Sequence, residues 1–446
     1  MGARGTTTIK WNLPTFVRSA VSRLRRAGHE AYVVGGAVRD LCMGRPATDW
    51  DITTSARPEE IPFVFKGLRS FSLKHETVTL VHKGRPYEVT TFRGPRRTLE
   101  DDLQHRDFTI NAIAYDLERS LVIDPWGGRR DIEKKVLRGV VNPEDRFRED
   151  PLRLIRAVRF AAELGFRIHG KTLKAISSMA EAITTAAPER IRDELVRILV
   201  CEKPSQGLHL LGKTGLFGCI LPELVKAGRV NGSVADRVAP EPVLRLSALF
   251  CTPAQSPSPA HGTERGMAVK SIMVRLCFSK SMIRQVAELV EEERVLADYH
   301  SSWRDGDLRR FIRRVGAENL ENLLALRKAN LASPARGAQA PLRRLNEVES
   351  RIRGLIKMPL VRGLQDLAID GSKVMEITGL SQGPEVGRIL KHFSEELMDH
   401  PEWNTRRKLV AMLKKMKFPA LPEHSESVGE IHGTAGRLKT RAQPES

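Results

Sequence analysis

Two aspartates separated by a single tryptophan, Asp49 and Asp51, are the residues of this sequence best suited to phosphate chemistry. They lie in the segment VVGGAVRDLCMGRPATDWDITTSA, whose last part is rich in strand-forming residues. On a strand both carboxylates would lie on one face, because successive side chains alternate. Paired carboxylates repel each other, yet they are the ligands that Mg²⁺ prefers beside substrate phosphate oxygens. The spacing therefore predicts a metal site.

An anion site is predicted just before these aspartates. Gly35 and Gly36 stand where an apolar strand gives way to a helix, and their missing side chains let backbone N–H groups approach a phosphate. Arg39 follows in the first helical turn, placed to reach the same anion. Glycines, arginine and aspartates together predict phosphoryl transfer with two metal ions. The alternative on this motif alone is a glycine turn followed by a solvated acidic turn.

A second polar cluster begins at the helix predicted over 149–160, EDPLRLIRAVRF. Asp150 followed by Pro151 is typical of an N-cap and the first helical residue. Three arginines then recur at every third position: Arg153, Arg156 and Arg159. This spacing predicts a slanting basic stripe along the helix. Such a stripe is usually a solvated helix face, so it indicates a nucleotide site only beside the predicted metal site.

The pair Asp150 and Arg153 has the chemistry to distinguish bases. A carboxylate accepts from the exocyclic amine of cytosine or adenine, and a guanidinium donates to the neighbouring ring acceptors. Uracil and guanine carry a carbonyl where that amine would be, which an acceptor repels. The pair therefore predicts selection of C and A by protein side chains without a template. Arg156 and Arg159 would reinforce this site or contact phosphate.

The composition favours a polyanionic partner. The chain has 446 residues, 73 Lys and Arg against 54 Asp and Glu, and a formal net charge of +19. Each basic side chain placed on a phosphate releases condensed counterions, which favours binding to nucleic acid. The five cysteines lack CxxC spacing, which argues against a disulfide framework and a zinc ribbon. The sequence lacks the apolar runs of a membrane span or a secretory signal, so we expect a cytoplasmic protein.

The pattern of elements changes along the chain. Residues 29–125 have the alternating pattern of a mixed α/β domain, whereas apolar residues recur at helical spacing from Glu149 onward. A Pro-, Ser- and Gly-rich segment at 251–266 indicates a linker. The segment GLHLLGKT (207–214) matches the P-loop pattern, but it follows a helix and contains an apolar run. We predict an amphipathic helix there that ends at Gly212.

Several long motifs resemble one family in order. GGAVRD followed by DWDITT resembles the signature of the class II tRNA nucleotidyltransferases and the related bacterial poly(A) polymerases. The matching segments further along are HETVTLVHKGRPYEVTTFRG, HRDFTINAIAYD, EDPLRLIRAVRF, PERIRDEL and LQDLAIDGSKVMEITGLSQGPEVGRIL. The resemblance spans about residues 30–415 and is closest to the members that add nucleotides to tRNA 3′ ends.

The resemblance implies an α/β nucleotidyltransferase head followed by an all-α remainder. The implied order is a catalytic head (1–148), a helical neck with the base-selecting helix (149–205), a helical body (206–345), a helical tail that binds tRNA (346–417) and a disordered end (418–446). It implies Mg²⁺, expected as two ions, with CTP and in some members ATP as substrates. The implied product is a tRNA extended with CMP, and pyrophosphate is released.

Specific residues of this sequence take roles from the resemblance. Asp49 and Asp51 would be catalytic and hold the metals, while seven residues would bind the nucleotide: Gly36, Arg39, Arg106, Asp150, Arg153, Arg156 and Arg159. His105 stands where the family usually has an arginine, so no role is assigned to it. We expect Asp107 to fix local structure. Glu88 is a candidate third acidic group beside the metals.

One segment departs from the family pattern. Members that add complete CCA carry a long flexible loop between the TTFR strand and the RRDFTINA motif, whereas only GPRRTLEDDLQH separates Arg93 from Arg106 here. Such a deletion resembles enzymes that add two cytidines and leave the final adenosine to a separate A-adding enzyme. The alternatives are complete CCA addition, a poly(A) polymerase that adds AMP to RNA ends, and a non-catalytic RNA-binding relative. The intact aspartates and the Asp150/Arg153 pair argue against the last.

Overall fold

The computed structural model of the chain describes residues 6–72, 76–226, 232–251, 262–332, 339–358, 361 and 363–416. The predicted disordered end, 418–446, and most of the predicted linker lie outside these residues. The chain forms two compact units, whose boundaries fall after Arg304, Arg310 and Gly354. The first unit contains the sheet and most of the helices; the second contains residues 305–310 and the part after Gly354.

The strands lie mostly in the first third of the chain, as the alternating pattern predicts. They are β1 (Thr6–Thr8), β2 (Ala31–Val34), β3 (Asp51–Thr54), β4 (Arg69–Ser72), β5 (Thr77–His82), β6 (Arg85–Thr91), β7 (Ala114–Asp116), β8 (Leu121–Ile123), β9 (Val136–Leu137) and β10 (Arg167–Ile168). Strands β9 and β10 pair with each other in parallel. The other strands form a single sheet.

The large sheet has the order β1-β8-β7-β2-β3-β6-β5-β4. Neighbours are antiparallel except for β3 and β6, which run parallel, so the sheet is mixed as predicted. Strands β5 and β6 form an antiparallel hairpin, joined by Lys83 and Gly84 with φ of 49° and 76°. Positive φ at both turn residues matches the right-handed twist of a tight hairpin.

Helices occupy most of the remaining described residues. They are α1 (Thr15–Arg26), α2 (Gly36–Cys42), α3 (Ile61–Val64), α4 (Leu99–Gln104), α5 (Gly128–Glu133), α6 (Pro143–Glu149), α7 (Leu152–Leu164), α8 (Gly170–Ser178), α9 (Pro188–Val200), α10 (Pro204–Lys213), α11 (Leu216–Ile220), α12 (Pro222–Lys226), α13 (Pro242–Phe250), α14 (Gly262–Arg275), α15 (Lys280–Ala297), α16 (Asp305–Val315), α17 (Ala317–Leu331), α18 (Gln339–Ile356), α19 (Gly371–Thr378), α20 (Pro384–Asp399) and α21 (Arg406–Lys415). In the described ranges, every helix is too short or too polar to cross a membrane.

The P-loop-like segment is a helix, as expected. Residues 207–213 belong to α10, which ends at Lys213, one residue beyond the predicted end, and Thr214 is its C-cap residue. A side chain at Gly207 would place its Cβ 2.5 Å from Cγ2 of Ile198, a residue of α9. The glycine therefore allows α10 to pack closely on α9.

The first unit has an extended hydrophobic core, apart from a smaller cluster around Val34. It joins buried sheet residues such as Val33 and Ile52 to buried residues of α7 and α9 such as Leu154 and Leu195. Because the sheet and the first helices after it share this core, their relative position is fixed by apolar packing. This packing holds the residues of the predicted head and neck in a fixed relative position.

The second unit has a core of its own. Helices α19, α20 and α21 bury Val374, Phe393 and Leu409 completely. Two of these helices begin at an N-cap whose side chain accepts a backbone N–H, Asp370 for α19 and Thr405 for α21. Caps of this kind satisfy donors that would otherwise lack a partner at the helix start.

We predict that Phe393→Ala destabilises the second unit without loosening the sheet. Removing a buried phenyl ring costs about 3–5 kcal/mol through lost burial and the cavity left behind. Hydrogen exchange measured by mass spectrometry should show faster exchange in α20 and α21 and unchanged exchange in β2 and β3. Leu364→Ala, at a residue 38% exposed, is the matched control. Unchanged exchange of α20 in Phe393→Ala would contradict the assignment of this core.

Candidate active site

The two predicted metal-binding aspartates do not both lie on a strand. Strand β3 begins at Asp51, and Asp49 lies in the exposed segment before it, so the expectation of a shared strand face is wrong for Asp49. The two carboxylates are still close enough to interact, because the charge of Asp49 helps to raise the pKa of Asp51. The structure thus brings the pair together through a strand and the segment that precedes it.

The Asp51 carboxylate lies between acidic and basic side chains. Burial is the largest effect on its carboxyl and, with the charges of Glu88 and Asp49, raises its pKa to about 6, while Arg106 and Arg93 oppose the shift. Glu88 is near because β3 and β6 are parallel and Asp51 pairs with Glu88 in their register. A bound cation would relieve this repulsion, so the donor set fits a hard divalent ion.

The acidic groups do not form a closed metal cage. Within the described ranges, no group of three or more His, Cys, Asp or Glu residues is arranged to hold a metal ion. Glu88 therefore does not complete a three-ligand site in this conformation. Mg²⁺ needs few protein ligands, since it keeps waters and takes substrate phosphate oxygens.

Gly35 is the point where the predicted phosphate site meets the predicted metal site. Its φ is 74°, and a Cβ there would lie 3.0 Å from Oδ2 of Asp51 and 3.1 Å from Nη1 of Arg106. Both the backbone conformation and the close approach require glycine. Gly36 begins α2, and a Cβ on it would lie 3.6 Å from Nη2 of Arg39. The structure therefore groups the glycine pair with Arg39, Arg106 and Asp51.

Arg106 is oriented by an acid that the sequence analysis missed. Nε and Nη2 of Arg106 donate to Oδ2 of Asp102 at 3.2 Å and 3.0 Å, and the Asp102 side chain is completely buried. The backbone N–H of Arg93 donates to the other oxygen of Asp102 at 3.3 Å. Asp102 lies in α4 and Arg106 lies just beyond the end of that helix, so helical spacing alone does not predict their contact.

A chain of hydrogen bonds connects Arg39 to α7. Nη1 of Arg39 donates to Oδ1 of Asn111 at 2.9 Å, and Nδ2 of Asn111 donates to Oδ1 of Asp107 at 2.9 Å. Nη2 of Arg156 donates to Oδ2 of Asp107 at 2.7 Å. Burial alone would raise the pKa of Asp107, but Arg156 and Asn111 hold that pKa well below its usual value. This geometry matches the structural role expected of Asp107.

Asp150 caps α7, as its sequence context predicts. Its Oδ1 accepts the backbone N–H of Leu152 at 3.1 Å, and α7 is helical from Leu152, one residue later than expected. Its Oδ2 accepts from Nη2 of Arg190, in α9, at 3.2 Å. Arg190 was not singled out from the sequence.

Arg153 lies near Asp150 but is anchored elsewhere. Its Nη1 donates to Oε2 of Glu149 at 2.9 Å and to the carbonyl of Arg146 at 3.1 Å, and its Nη2 donates to the carbonyl of His105 at 2.9 Å. The backbone N–H of Arg153 donates to the carbonyl of Asp150 at 3.0 Å, but in the structure as described no hydrogen bond or ion pair joins their side chains. Arg153 thus connects the start of α7 to the segment that carries Arg106.

The predicted basic stripe is only partly available to a ligand. Arg159 is 1% exposed, and its guanidinium pairs with Glu194 of α9 and with Glu163. Contrary to the prediction, the structure does not bring Arg159 to the nucleotide site, because burial and its two acids hold it inside the unit. Arg156 is engaged by Asp107. Both guanidinium groups also lie against the Phe160 ring, at 3.9 Å for Arg159 and 5.3 Å for Arg156.

We predict that Asp107→Asn lowers the free energy of unfolding by about 3 kcal/mol at pH 7, because it leaves the Arg156 charge undercompensated. The folded-state pKa of Asp107 is depressed, so the wild-type advantage should be complete above about pH 4 and be lost as the pH falls through the folded-state pKa. Urea unfolding of both proteins measures this. Asp193→Asn, at a side chain 65% exposed, is the control. Equal stability of Asp107→Asn and wild type at pH 7 would refute the assignment.

Two family models match parts of this chain. The Poly A polymerase head domain matches residues 31–138, and the probable RNA and SrmB-binding site of polymerase A matches residues 165–227. The chain is 45% identical over 222 residues to the CCA-adding enzyme of Geobacillus thermodenitrificans, a match that covers 47% of this chain and 54% of that protein. The match thus spans about half the length of that curated relative.

Longer matches cover nearly the whole relative. The CCA-adding enzyme of Lactobacillus johnsonii is 31% identical over 405 residues, which is 87% of this chain and 94% of that protein. The crystal structure of the Bacillus stearothermophilus CCA-adding enzyme in complex with CTP is similar at 31% identity and a TM-score of 0.69, over 89% of this chain and 95% of that one. The α/β head with its helical remainder is the fold of these proteins. The chain belongs to the family of class II CCA-adding tRNA nucleotidyltransferases.

Proposed function

We propose that this protein is a template-independent nucleotidyltransferase that extends the 3′ end of tRNA. The observation that carries the proposal is the Asp51 carboxylate, which lies against Gly35 and Arg106 with two more acids nearby. In the proposed reaction the tRNA 3′-hydroxyl attacks the α-phosphate of CTP and pyrophosphate leaves. The similarity to CCA-adding enzymes, one of them crystallised with CTP, supports both substrates.

Asp49 and Asp51 would hold Mg²⁺, expected as two ions. When bound, Mg²⁺ makes a hydroxyl more acidic and neutralises charge on phosphate oxygens. The acidic neighbours of Asp51 support this assignment, because the charges of Asp49 and Glu88 act on its carboxylate and a divalent cation binds best where carboxylates lie together.

The protein side chains would orient the triphosphate. The N-terminus of α2 at Gly36 presents backbone N–H groups, and Arg39 lies over that turn. Arg106, fixed by buried Asp102, is placed where charge builds up on the transferring phosphoryl group. Because both arginines are already oriented by neighbours, little reorganisation is needed when the nucleotide binds.

Asp150 and Arg153 would select the base. Asp150 is held at the start of α7 by Leu152, and Arg153 is held by three acceptors, so both are presented by a helix fixed in the core. Arg156 would act through Asp107, since it is bound to that carboxylate. An acceptor and a donor on a rigid element distinguish amine-bearing bases from carbonyl-bearing ones.

We further propose that the protein adds CC and that a separate A-adding enzyme completes the end. The connection between β6 and α4 supports this, because it contains only residues 92–98 and is closed by local bonds. The N–H of Arg96 donates to Oδ2 of Asp101 at 2.7 Å, and Thr98 caps α4. A long flexible loop that would help the base reader accept the larger purine is missing from this connection.

The helical remainder would hold the tRNA. The net charge of +19 supports contacts with the phosphate backbone, on which recognition of RNA by shape largely depends. We propose that residues 1–148 form the catalytic head, 149–205 the neck, 206–345 the body and 346–417 the tail. Such a substrate is consistent with a cytoplasmic location.

We predict that Asp51→Ala lowers nucleotide incorporation by at least about a thousandfold while binding of tRNA persists, because the carboxylate acts in the reaction and not in RNA contact. Incorporation of labelled CMP and a filter-binding assay measure the two properties. Asp298→Ala, at a side chain 72% exposed, is the matched control. Parallel loss of both properties in Asp51→Ala would instead indicate misfolding, and full activity would exclude this site.

We predict that a tRNA transcript lacking its 3′ end, incubated with CTP and ATP, acquires CC only. Sequencing the 3′ ends of the products measures this directly, and a complete CCA-adding enzyme serves as control. A mature CCA end would overturn the CC-only proposal but leave the nucleotidyltransferase assignment intact. Long adenosine tails would favour a poly(A) polymerase instead.

A further inference from the structure

The Asp150 carboxylate is held by two separate elements. One oxygen accepts from Leu152 in the first turn of α7, and the other accepts from Arg190 in the first turn of α9. The Arg190 side chain is 50% exposed and that of Asp150 is 31% exposed, so the pair lies at the surface where a ligand can reach it. Arg190 stands 40 positions after Asp150 in the sequence.

We propose that Arg190 is a positioning residue for base selection, which acts by fixing the orientation of the Asp150 carboxylate. The inference rests on the proposed function, in which Asp150 accepts a hydrogen bond from the base amine. It adds a residue outside the Asp150/Arg153 pair and outside the nucleotide-contacting set.

The chemistry of the carboxylate explains why a second anchor matters. The terminal torsion of an aspartate is broad, so a carboxylate held at one oxygen still rotates about its Cβ–Cγ bond. Leu152 and Arg190 together hold both oxygens and so define the carboxylate plane. An ionised carboxylate has about four acceptor sites, and these two donors occupy only two, which leaves capacity for a base amine.

A misoriented Asp150 carboxylate would lower the preference for CTP over UTP in two ways. A rotated carboxylate loses its bond to the amine of cytosine, and it also no longer repels the carbonyl of uracil. KM for CTP should therefore rise while KM for UTP falls. Damage to the general structure would move both constants in the same direction, so this divergence distinguishes positioning from a merely structural role.

The geometry also makes the test practical. Exposed ion pairs contribute little to stability, so a variant at Arg190 should fold. Arg197 lies on the same helix, is 56% exposed and pairs with Glu163 at 2.9 Å. Arg197→Gln therefore removes a comparable ion pair from α9 without touching Asp150, and it is the matched control.

The experiment measures kcat and KM for CTP and for UTP on a tRNA transcript that lacks its 3′ end. The proteins are wild type, Arg190→Gln, Arg190→Lys, Arg197→Gln, Asp150→Ala and the double variant Asp150→Ala with Arg190→Gln. We expect Arg190→Gln to lower the CTP to UTP ratio of kcat/KM about tenfold, the effect of one hydrogen bond. Arg190→Lys should recover part of the ratio, and Arg197→Gln should keep it.

The double variant distinguishes the possible failures. If Arg190 acts through Asp150, Arg190→Gln has no further effect on the ratio once Asp150 is alanine. An additive effect, or a wild-type ratio in Arg190→Gln, overturns the positioning role. If Asp150→Ala itself keeps the wild-type ratio, base reading by Asp150 is wrong, and the proposed function must be revised before any role is given to Arg190.

Discussion

The close approach of Asp51 and Arg106 to Gly35 is the constraint on which the rest of the site depends. The sheet register sets it, because Asp51 pairs with Val34 on one side and with Glu88 on the other. A shift of one residue would turn the Asp51 side chain to the opposite face of the sheet. The buried core of the first unit therefore fixes the geometry of the candidate site as well as the fold.

The same packing connects the proposed phosphate site to the proposed base reader. Arg39 is joined through Asn111 and Asp107 to Arg156, so the arginine proposed to bind phosphate and the helix proposed to select the base share one hydrogen-bond network. A buried network of this kind stabilises one arrangement only when every donor and acceptor has a hydrogen-bond partner. Removing one member leaves an unpaired charge in the protein interior, which is energetically costly. Under the proposed function, this network would hold the reaction centre and the base reader in a fixed relative position.

Local patterns predicted the fold well, and contacts between distant residues limited the prediction of the site. The strand before Gly35 and the helix α10 both follow from short-range periodicity. The buried state of Arg159 and the contact of Arg190 with Asp150 do not, because each depends on α9 packing against α7. Helical spacing gives the face of a side chain but not its partner.

The most direct test of the central claim is a crystal structure of the protein with CTP and Mg²⁺. The account predicts ions coordinated at about 2.1 Å by oxygens of Asp49 and Asp51, with the triphosphate against Gly36 and Arg39. Ions bound away from both carboxylates, or a triphosphate held elsewhere in the protein, would contradict it.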